Sequence, residues 1–213
     1  MDNTSDSRRP LTSRDTNWAK QTATFLAKNN VSPNFISILS MLFAGLALLA
    51  FYLDSTTSGL HVLYMVLAIA GIQLRLLMNL LDGMVAIEHN KKSAVGGLYN
   101  EVPDRVSDTL IIFGVGLTVK QMHYGMDMAY LAIIIALATA YIRALGASLN
   151  CGHFFLGPMA KPHRMAFICA GCIIAIWYTP VFYYVLIVMN IGLLITCYRR
   201  LAKIAATLKA TPN

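Results

Sequence analysis

Apolar runs of about 20 residues recur along almost the whole of this 213-residue chain, and they constrain its fold more than any other feature. A helix of roughly 20 apolar residues crosses a hydrocarbon core of about 30 Å. Hydrophobic residues make up 57% of the sequence and charged residues only 13%, whereas soluble domains carry about 25% charged residues. The sequence therefore predicts an all-α integral membrane protein with one compact domain.

Six transmembrane helices are predicted from the apolar runs and the turns between them. Short polar or proline-containing segments at 30–34, 54–59, 90–93, 150–162 and 179–180 separate the runs, and such clusters favour turns and loops. The predicted spans cover about 34–53, 61–89, 97–120, 125–148, 163–178 and 181–200. The predicted membrane domain is 30–208, with a short tail at 209–213.

The first 29 residues are predicted to form a polar tail and an interfacial helix. Residues 1–13 are polar without periodicity, which is typical of disorder. In 14–29, Trp18, Phe25 and Leu26 can lie on lipid while Lys20 and Lys28 reach the headgroups, as in amphipathic interfacial helices. A soluble linker is the alternative for this segment.

The placement of basic residues predicts the orientation. Of the 17 Lys and Arg residues, five precede the first span, two lie at 91–92, two at 161–164, and four follow the last span. With six spans all of these fall on one side, and an excess of Lys and Arg marks the cytoplasmic side. Both termini are therefore predicted in the cytoplasm, and the membrane is predicted to be the bacterial inner membrane.

A polar face interrupts the second predicted span. A charged group at the bilayer centre costs at least about 2.5 to 3.5 kcal/mol, so intramembrane charges indicate function by default. At about 100° per residue, one arc of roughly 100° holds Arg75, Asn79, Asp82, Gly83 and Ala86. The small residues would let a ligand approach the backbone.

The third predicted helix carries a second polar arc, formed by Asn100, Glu101, Asp104 and Asp108. A short cytoplasmic turn would bring the two arcs together. Converging carboxylate and amide oxygens suit Mg²⁺, Mn²⁺ or Ca²⁺ rather than zinc. Such a site predicts a phosphate or pyrophosphate substrate presented at the membrane.

These two arcs carry the residues of a known motif. The chain resembles the CDP-alcohol phosphatidyltransferases, whose motif is D-x2-D-G-x2-A-R-x8-G-x3-D-x3-D, and every spacing is kept. The identical positions are Asp82, Gly83, Ala86, Gly96 and Asp104. The motif is divergent because Asn79 and Asn100 replace two aspartates and Ile87 replaces the arginine. The segment 31–37 and the Tyr141-Ile-Arg143 sequence are similar to other family features.

The resemblance implies transfer of a phosphatidyl group from CDP-diacylglycerol to an alcohol, with release of CMP, in phospholipid synthesis. It implies a cytoplasm-facing pocket where a divalent cation, Mg²⁺ or Mn²⁺, holds the pyrophosphate. By position, Asp104 would be the general base, Asn79, Asp82 and Asn100 metal or CDP ligands, and Gly83 and Ala86 neighbours of the nucleotide.

The substitutions raise the question of which residues compensate for them. Glu101 and Asp108 lie on the same arc and would restore two negative charges to the metal site. Arg75 either takes over part of the role of the missing arginine or forms an ion pair with Asp82 or Asp104.

A basic group predicts the kind of acceptor. We expect Arg143, Lys161 and Arg164 to bind a phosphorylated or otherwise anionic alcohol, and the family resemblance implies a possible homodimer. Three alternatives stay open at this level: a purely structural acidic cluster, a degenerate CDP-lipid-binding or scaffold protein without turnover, and a small transporter. The net charge of +7 could suggest a nucleic-acid partner, but the placement of the basic residues on one side of the spans argues against it.

Overall fold

The structure is a computed structural model that describes residues 16–88, 91 and 93–210. All regular secondary structure in this part of the chain is helical. The helices are α1 (Asn17–Lys28), α2 (Pro33–Thr56), α3 (His61–Glu88), α4 (Gly96–Thr118), α5 (Gly125–Ser148), α6 (Lys161–Ala175) and α7 (Val181–Ala210).

The break before α2 forms as the sequence predicts. Asn30 has a positive φ of 56°, which ends α1, and Pro33 occupies the first turn of α2, where its missing N–H costs nothing. The Ser32 hydroxyl accepts a hydrogen bond from the Phe35 N–H at 3.2 Å and so caps the new helix.

Helix α2 lies against both α3 and α4, α5 lies between α4 and α7, and α6 lies between α3 and α7. Close backbone approach makes this arrangement possible. A Cβ added at Gly71 of α3 would lie 2.8 Å from the Phe43 carbonyl oxygen of α2. A glycine is therefore required where these two helices cross.

Four helices, rather than the predicted six, are long and apolar enough to cross a membrane among the described residues: α2, α3 through Ile87, α5 and α7. The helical membrane protein is confirmed, but two predicted spans differ in character. Helix α4 carries four charged residues, Glu101, Asp104, Arg105 and Asp108. Helix α6 has only 15 residues, and at 1.5 Å per residue it is too short to cross alone.

The two ends of the chain also differ in detail from the prediction. Helix α7 continues past residue 200 to Ala210, so the predicted tail at 209–213 begins within a helix. The predicted disordered segment 1–13 lies outside the described residues. In α1, Trp18 and Phe25 are exposed as expected of an interfacial helix, whereas Leu26 packs against the hydrophobic cluster formed with α3.

Candidate active site

A cavity of about 720 Å³ opens at the end of the bundle where α2, α4 and α6 begin and α3 ends. This volume is in the range of ligand-binding pockets. The helical residues that carry polar or small side chains to its wall include Asn34, Ser37, Gln73, Asn79, Asp82, Gly83, Ala86, Gly96, Gly97, Asn100, Asp104, Arg105, Thr139, Ala140, Arg143, Lys161, Arg164 and Arg200.

The two polar arcs meet at this cavity. Helix α3 contributes Asn79, Asp82, Gly83 and Ala86, and α4 contributes Gly96, Asn100 and Asp104. The spacing of three or four residues places these side chains on one face of each helix. The loop that joins α3 to α4 is short, so both faces reach the same space.

Lys161, the first residue of α6, joins the two arcs. Its ammonium group donates hydrogen bonds to Asn79 Oδ1 on α3 and to Asp104 Oδ2 on α4. The side chain of Asp104 is only 8% exposed. An ammonium group has three donors, so one N–H remains after these two contacts.

Asp82 lies beside this bridge and is held from α2. The Ser37 hydroxyl donates to Asp82 Oδ2 at 2.5 Å, while Asp82 Oδ1 is buried without a side-chain partner among the described residues. Asp82 as a whole is 3% exposed. Among the described side chains only the Ser37 hydroxyl donates to this carboxylate, so Asp82 can still accept a cation or a ligand donor at this point of the cavity.

Beneath the cavity, Asp108 forms a buried ion-pair cluster. Arg75 Nη2 donates to Asp108 Oδ1 at 2.7 Å and to Asp104 Oδ1 at 3.3 Å. Arg164 donates to Asp108 Oδ2 and to the Met159 carbonyl. Of the two alternatives for Arg75, the structure shows the ion pair, with Asp104 and Asp108 rather than with Asp82.

Glu101, predicted as a metal ligand, is not among the residues that line the cavity, but it pairs with two arginines that are. Arg143 donates to Glu101 Oε2, and Arg105 Nη2 lies 3.4 Å from Glu101 Oε1. The Arg143 guanidinium carbon lies 5.6 Å from the ring centroid of Phe155, a cation–π distance. Both Glu101 and Asp108, predicted to restore charge to a metal site, therefore neutralise arginines here.

Arg200 was missed as a site residue because its sequence position suggests only a topology-setting charge after the last span. It lines the cavity, is 5% exposed, and donates to the Thr139 and Leu156 carbonyl oxygens at 2.6 and 3.0 Å. No carboxylate of the described residues pairs with it. Its positive charge is therefore available to an anion.

The residues that line the cavity offer oxygen ligands to a hard divalent cation. Asp82 supplies an oxygen without a side-chain partner, and Asp104, Asn79 and Asn100 bring further oxygens to the same cavity. Oxygen ligands of this kind suit Mg²⁺ or Mn²⁺. No three His, Cys, Asp or Glu residues in the described ranges converge as a metal-binding group, so amide oxygens would have to take part.

Comparisons of the sequence with known proteins give two relatives. An uncharacterized protein of Aquifex aeolicus is 27% identical over 183 residues, which cover 83% of each chain. An archaetidylinositol phosphate synthase of Pyrococcus horikoshii is 28% identical over 148 residues, which cover 67% of this chain and 70% of that protein. No family model matches the sequence.

Comparison of the structure with solved structures decides the fold. The crystal structure of Mycobacterium tuberculosis phosphatidylinositol phosphate synthase with manganese and citrate has a TM-score of 0.74, at 17% identity and 88% coverage of both chains. The chain has the phosphatidylinositol phosphate synthase fold. The same enzyme with CDP-DAG bound gives a TM-score of 0.70, at 16% identity and with 89% of this chain covered.

The fold agrees with the resemblance that the motif indicated. The structural neighbours and the archaeal relative belong to the CDP-alcohol phosphatidyltransferases. The phosphatidylinositol phosphate synthase fold places the motif helices, here α3 and α4, side by side at a single cavity. The fold match covers 88% of this chain, and the motif lies within it at residues 79–104.

Proposed function

We propose that this protein is a CDP-alcohol phosphatidyltransferase that moves a phosphatidyl group from CDP-diacylglycerol to a phosphorylated alcohol and releases CMP. One observation carries the proposal. The motif positions that sequence spacing defines, from Asn79 to Asp104, line a single cavity of about 720 Å³ in the phosphatidylinositol phosphate synthase fold. A solved structure of that fold carries CDP-DAG.

Some residues of the cavity bind the substrate, and one accepts the proton. Gly83 and Ala86 leave room along α3 for the nucleotide, and Asp82 faces the cavity with an oxygen that accepts no side-chain donor. Asp104 takes the proton of the attacking hydroxyl group. A bound Mg²⁺ or Mn²⁺ would supply positive charge to neutralise the phosphates, which is the main requirement of phosphoryl transfer.

The acceptor is an alcohol that carries a phosphate, of the inositol phosphate type. Support comes from the charge of the cavity wall. Arg200 has no anionic partner in the described part of the chain, and Lys161 keeps one N–H beyond its contacts with Asn79 and Asp104. Arg143 lies at the same wall. Both named synthases among the relatives carry inositol phosphate in their names.

Arg164 contributes to this wall in a different way from the prediction. It is 2% exposed and its charge is balanced by Asp108. We therefore assign it to holding the start of α6, and with it Lys161, at the cavity. Arg75 has the same supporting role beneath Asp104.

The topology that goes with this function has six membrane-crossing segments, with the short α6 and the polar α4 shielded by the four apolar helices. Both termini and the cavity then face the cytoplasm of a bacterial inner membrane, where the cytosolic nucleotide product is released. Two chains form a homodimer through exposed apolar faces of the bundle.

The test is CMP release by the purified protein in detergent, with CDP-diacylglycerol, Mg²⁺ or Mn²⁺, and a panel of charged and uncharged alcohols. Asp104→Asn serves as the inactive variant. Asp127→Asn, an exposed aspartate in the first turn of α5 outside the cavity, is the matched control.

Metal-dependent release with a phosphorylated acceptor, lost in Asp104→Asn and kept in Asp127→Asn, would support the proposal and identify the product. Binding of CDP-diacylglycerol without release in the presence of any acceptor would instead support a scaffold or regulatory protein. Proton-dependent uptake into liposomes without a lipid product would support a transporter.

A further inference from the structure

The motif residues where α3, α4 and α6 meet carry fewer negative charges than the family motif does. The family motif places aspartates at positions 79, 82, 100 and 104, whereas this chain has Asn79 and Asn100. Four carboxylates carry the charge of two divalent cations. Two carboxylates, Asp82 and Asp104, carry the charge of only one.

The structure places a side-chain cation between the motif residues of α3 and those of α4. Lys161 donates simultaneously to Asn79 Oδ1 and Asp104 Oδ2, the first and last positions of the motif. Its backbone is fixed because Lys161 begins α6 beside Pro162, and because Arg164, one turn later, is anchored to Asp108 and to the Met159 carbonyl. The ammonium group is therefore held in a defined position between the two motif helices.

The neutral amide at position 79 fits this arrangement. If position 79 were an aspartate, the Lys161 ammonium would lie between two carboxylates, whose combined charge exceeds its own. The remaining negative charge would attract a divalent cation to the same position. With one amide and one carboxylate as partners, the ammonium balances Asp104, which Arg75 also contacts at 3.3 Å. Asp82 is then the motif carboxylate without an ion pair in the described part of the chain, and ligand phosphates would supply the rest of the negative charge that a divalent cation needs. Asp82 Oδ1 is also the motif oxygen that has no side-chain partner.

We propose that the Lys161 ammonium takes the place of one divalent cation in this site, bound by Asn79 and Asp104 on one side and free to donate its third N–H to a ligand phosphate on the other. The chain then binds one divalent cation, next to Asp82. The inference rests on the proposed function only for the presence of a divalent cation in this cavity.

The arrangement has a consequence that a simple phosphate-binding lysine would not have. Lys161 repels the divalent cation that binds beside it, so removal of its charge strengthens metal binding. At a separation of about 6 Å, repulsion between a single and a double charge corresponds to about a tenfold change in affinity even at the dielectric constant of water. A lysine that served the acceptor alone, away from the metal, would leave metal affinity unchanged.

Titration of the purified wild-type protein with Mn²⁺ in detergent, with free Mn²⁺ measured by electron paramagnetic resonance, tests the stoichiometry. One ion per chain is expected. Two ions of comparable affinity per chain would overturn the inference without requiring any variant to fold.

The same titration on Lys161→Met tests the repulsion, and we expect Mn²⁺ to bind at least about tenfold more tightly. Lys91→Met is the matched control, because Lys91 also lines the cavity but donates to the Ala27 carbonyl and Asn30. Its Mn²⁺ affinity should change much less. Equal or weaker binding in Lys161→Met, in a protein that elutes as the wild type on gel filtration, would refute the inference.

A third measurement tests the coupling between Lys161 and position 79. Asn79→Asp in the wild-type background adds a charge that pairs with the ammonium, so a small gain in Mn²⁺ affinity is expected. The same change in Lys161→Met exposes the charge to metal, so a larger gain or a second bound ion is expected. Equal gains in the two backgrounds would contradict the proposed substitution.

CMP release and Mn²⁺ binding together distinguish a wrong role for Lys161 from a wrong assignment of the transferase. Metal-dependent CMP release together with two Mn²⁺ ions per wild-type chain would retain the transferase and remove the role of Lys161. No CMP release, together with one Mn²⁺ ion and tighter binding in Lys161→Met, would retain the inference and remove the transferase.

Discussion

Replacement of Asp108 by asparagine separates a metal-binding role from a structural one. Asp108 accepts from Arg75 on one side and Arg164 on the other, and the exposed fractions of the three side chains are 5%, 0% and 2%. Asparagine has the same shape but turns one acceptor oxygen into an NH₂ donor. One guanidinium would then face a donor, and both would lose their shared negative charge.

The expected cost follows from the burial of all three groups. Breaking a buried ion pair by removing one partner destabilises a protein by about 3–5 kcal/mol, because the remaining charge is left uncompensated. For a chain of about this length, 1 kcal/mol shifts the melting temperature by about 2–4 °C. We expect Asp108→Asn to lower the melting temperature in detergent by at least about 6 °C.

Thermal unfolding followed by tryptophan fluorescence, together with Mn²⁺ titration below the transition, measures both roles. Glu101→Gln is the matched control, because its carboxylate is 41% exposed and exposed pairs contribute about 1 kcal/mol or less. An unchanged melting temperature in Asp108→Asn would refute the structural reasoning. Loss of Mn²⁺ binding with normal stability would instead restore Asp108 to the metal site.

Three further outcomes are expected. Asp104→Asn should lower the rate of CMP release by at least about 100-fold while CDP-lipid still binds, and normal turnover would contradict its role as base. Arg143→Ala should raise the KM for a phosphorylated acceptor by about tenfold, since a charge-assisted hydrogen bond contributes about 1.5–3 kcal/mol; an equal change for an uncharged alcohol would argue against contact with the phosphate. Gly71→Ala should lower the melting temperature through its clash with Phe43, whereas Gly45→Ala, with nothing within 4 Å of the added Cβ, should not; equal effects would exclude the clash as the cause.

Several features of this protein could be predicted from the sequence alone. Apolar runs gave the bounds of the membrane helices within about three residues, except at the end of α7, which continues past the predicted residue 200 to Ala210. The length of a membrane helix and the positions of Pro33 and Pro180 are local properties. The angular positions of Asn79, Asp82 and Asp104 followed from helix geometry alone. The motif spacing also indicated a resemblance to the CDP-alcohol phosphatidyltransferases, and the fold agrees with it.

The sequence could not predict how far the cavity extends along α4, and therefore which of its aspartates reach it. Asp104 and Asp108 share one face of α4, but four residues separate them by about 6 Å along the axis. Packing of α6 ends the cavity between these two positions. Asp104 therefore lines the cavity, while Asp108 lies among the arginines beneath it.

Contacts between distant segments were decided only by the tertiary structure. Ser37 and Asp82 are 45 residues apart, and Lys161 and Asn79 are 82 apart. Helical periodicity assigns each side chain to a face of its own helix, but it contains no information about which helix lies opposite. The packing of α2 and α6 against the motif helices supplies Ser37 and Lys161 to the site, because burial of polar groups in a bundle requires partners from neighbouring helices.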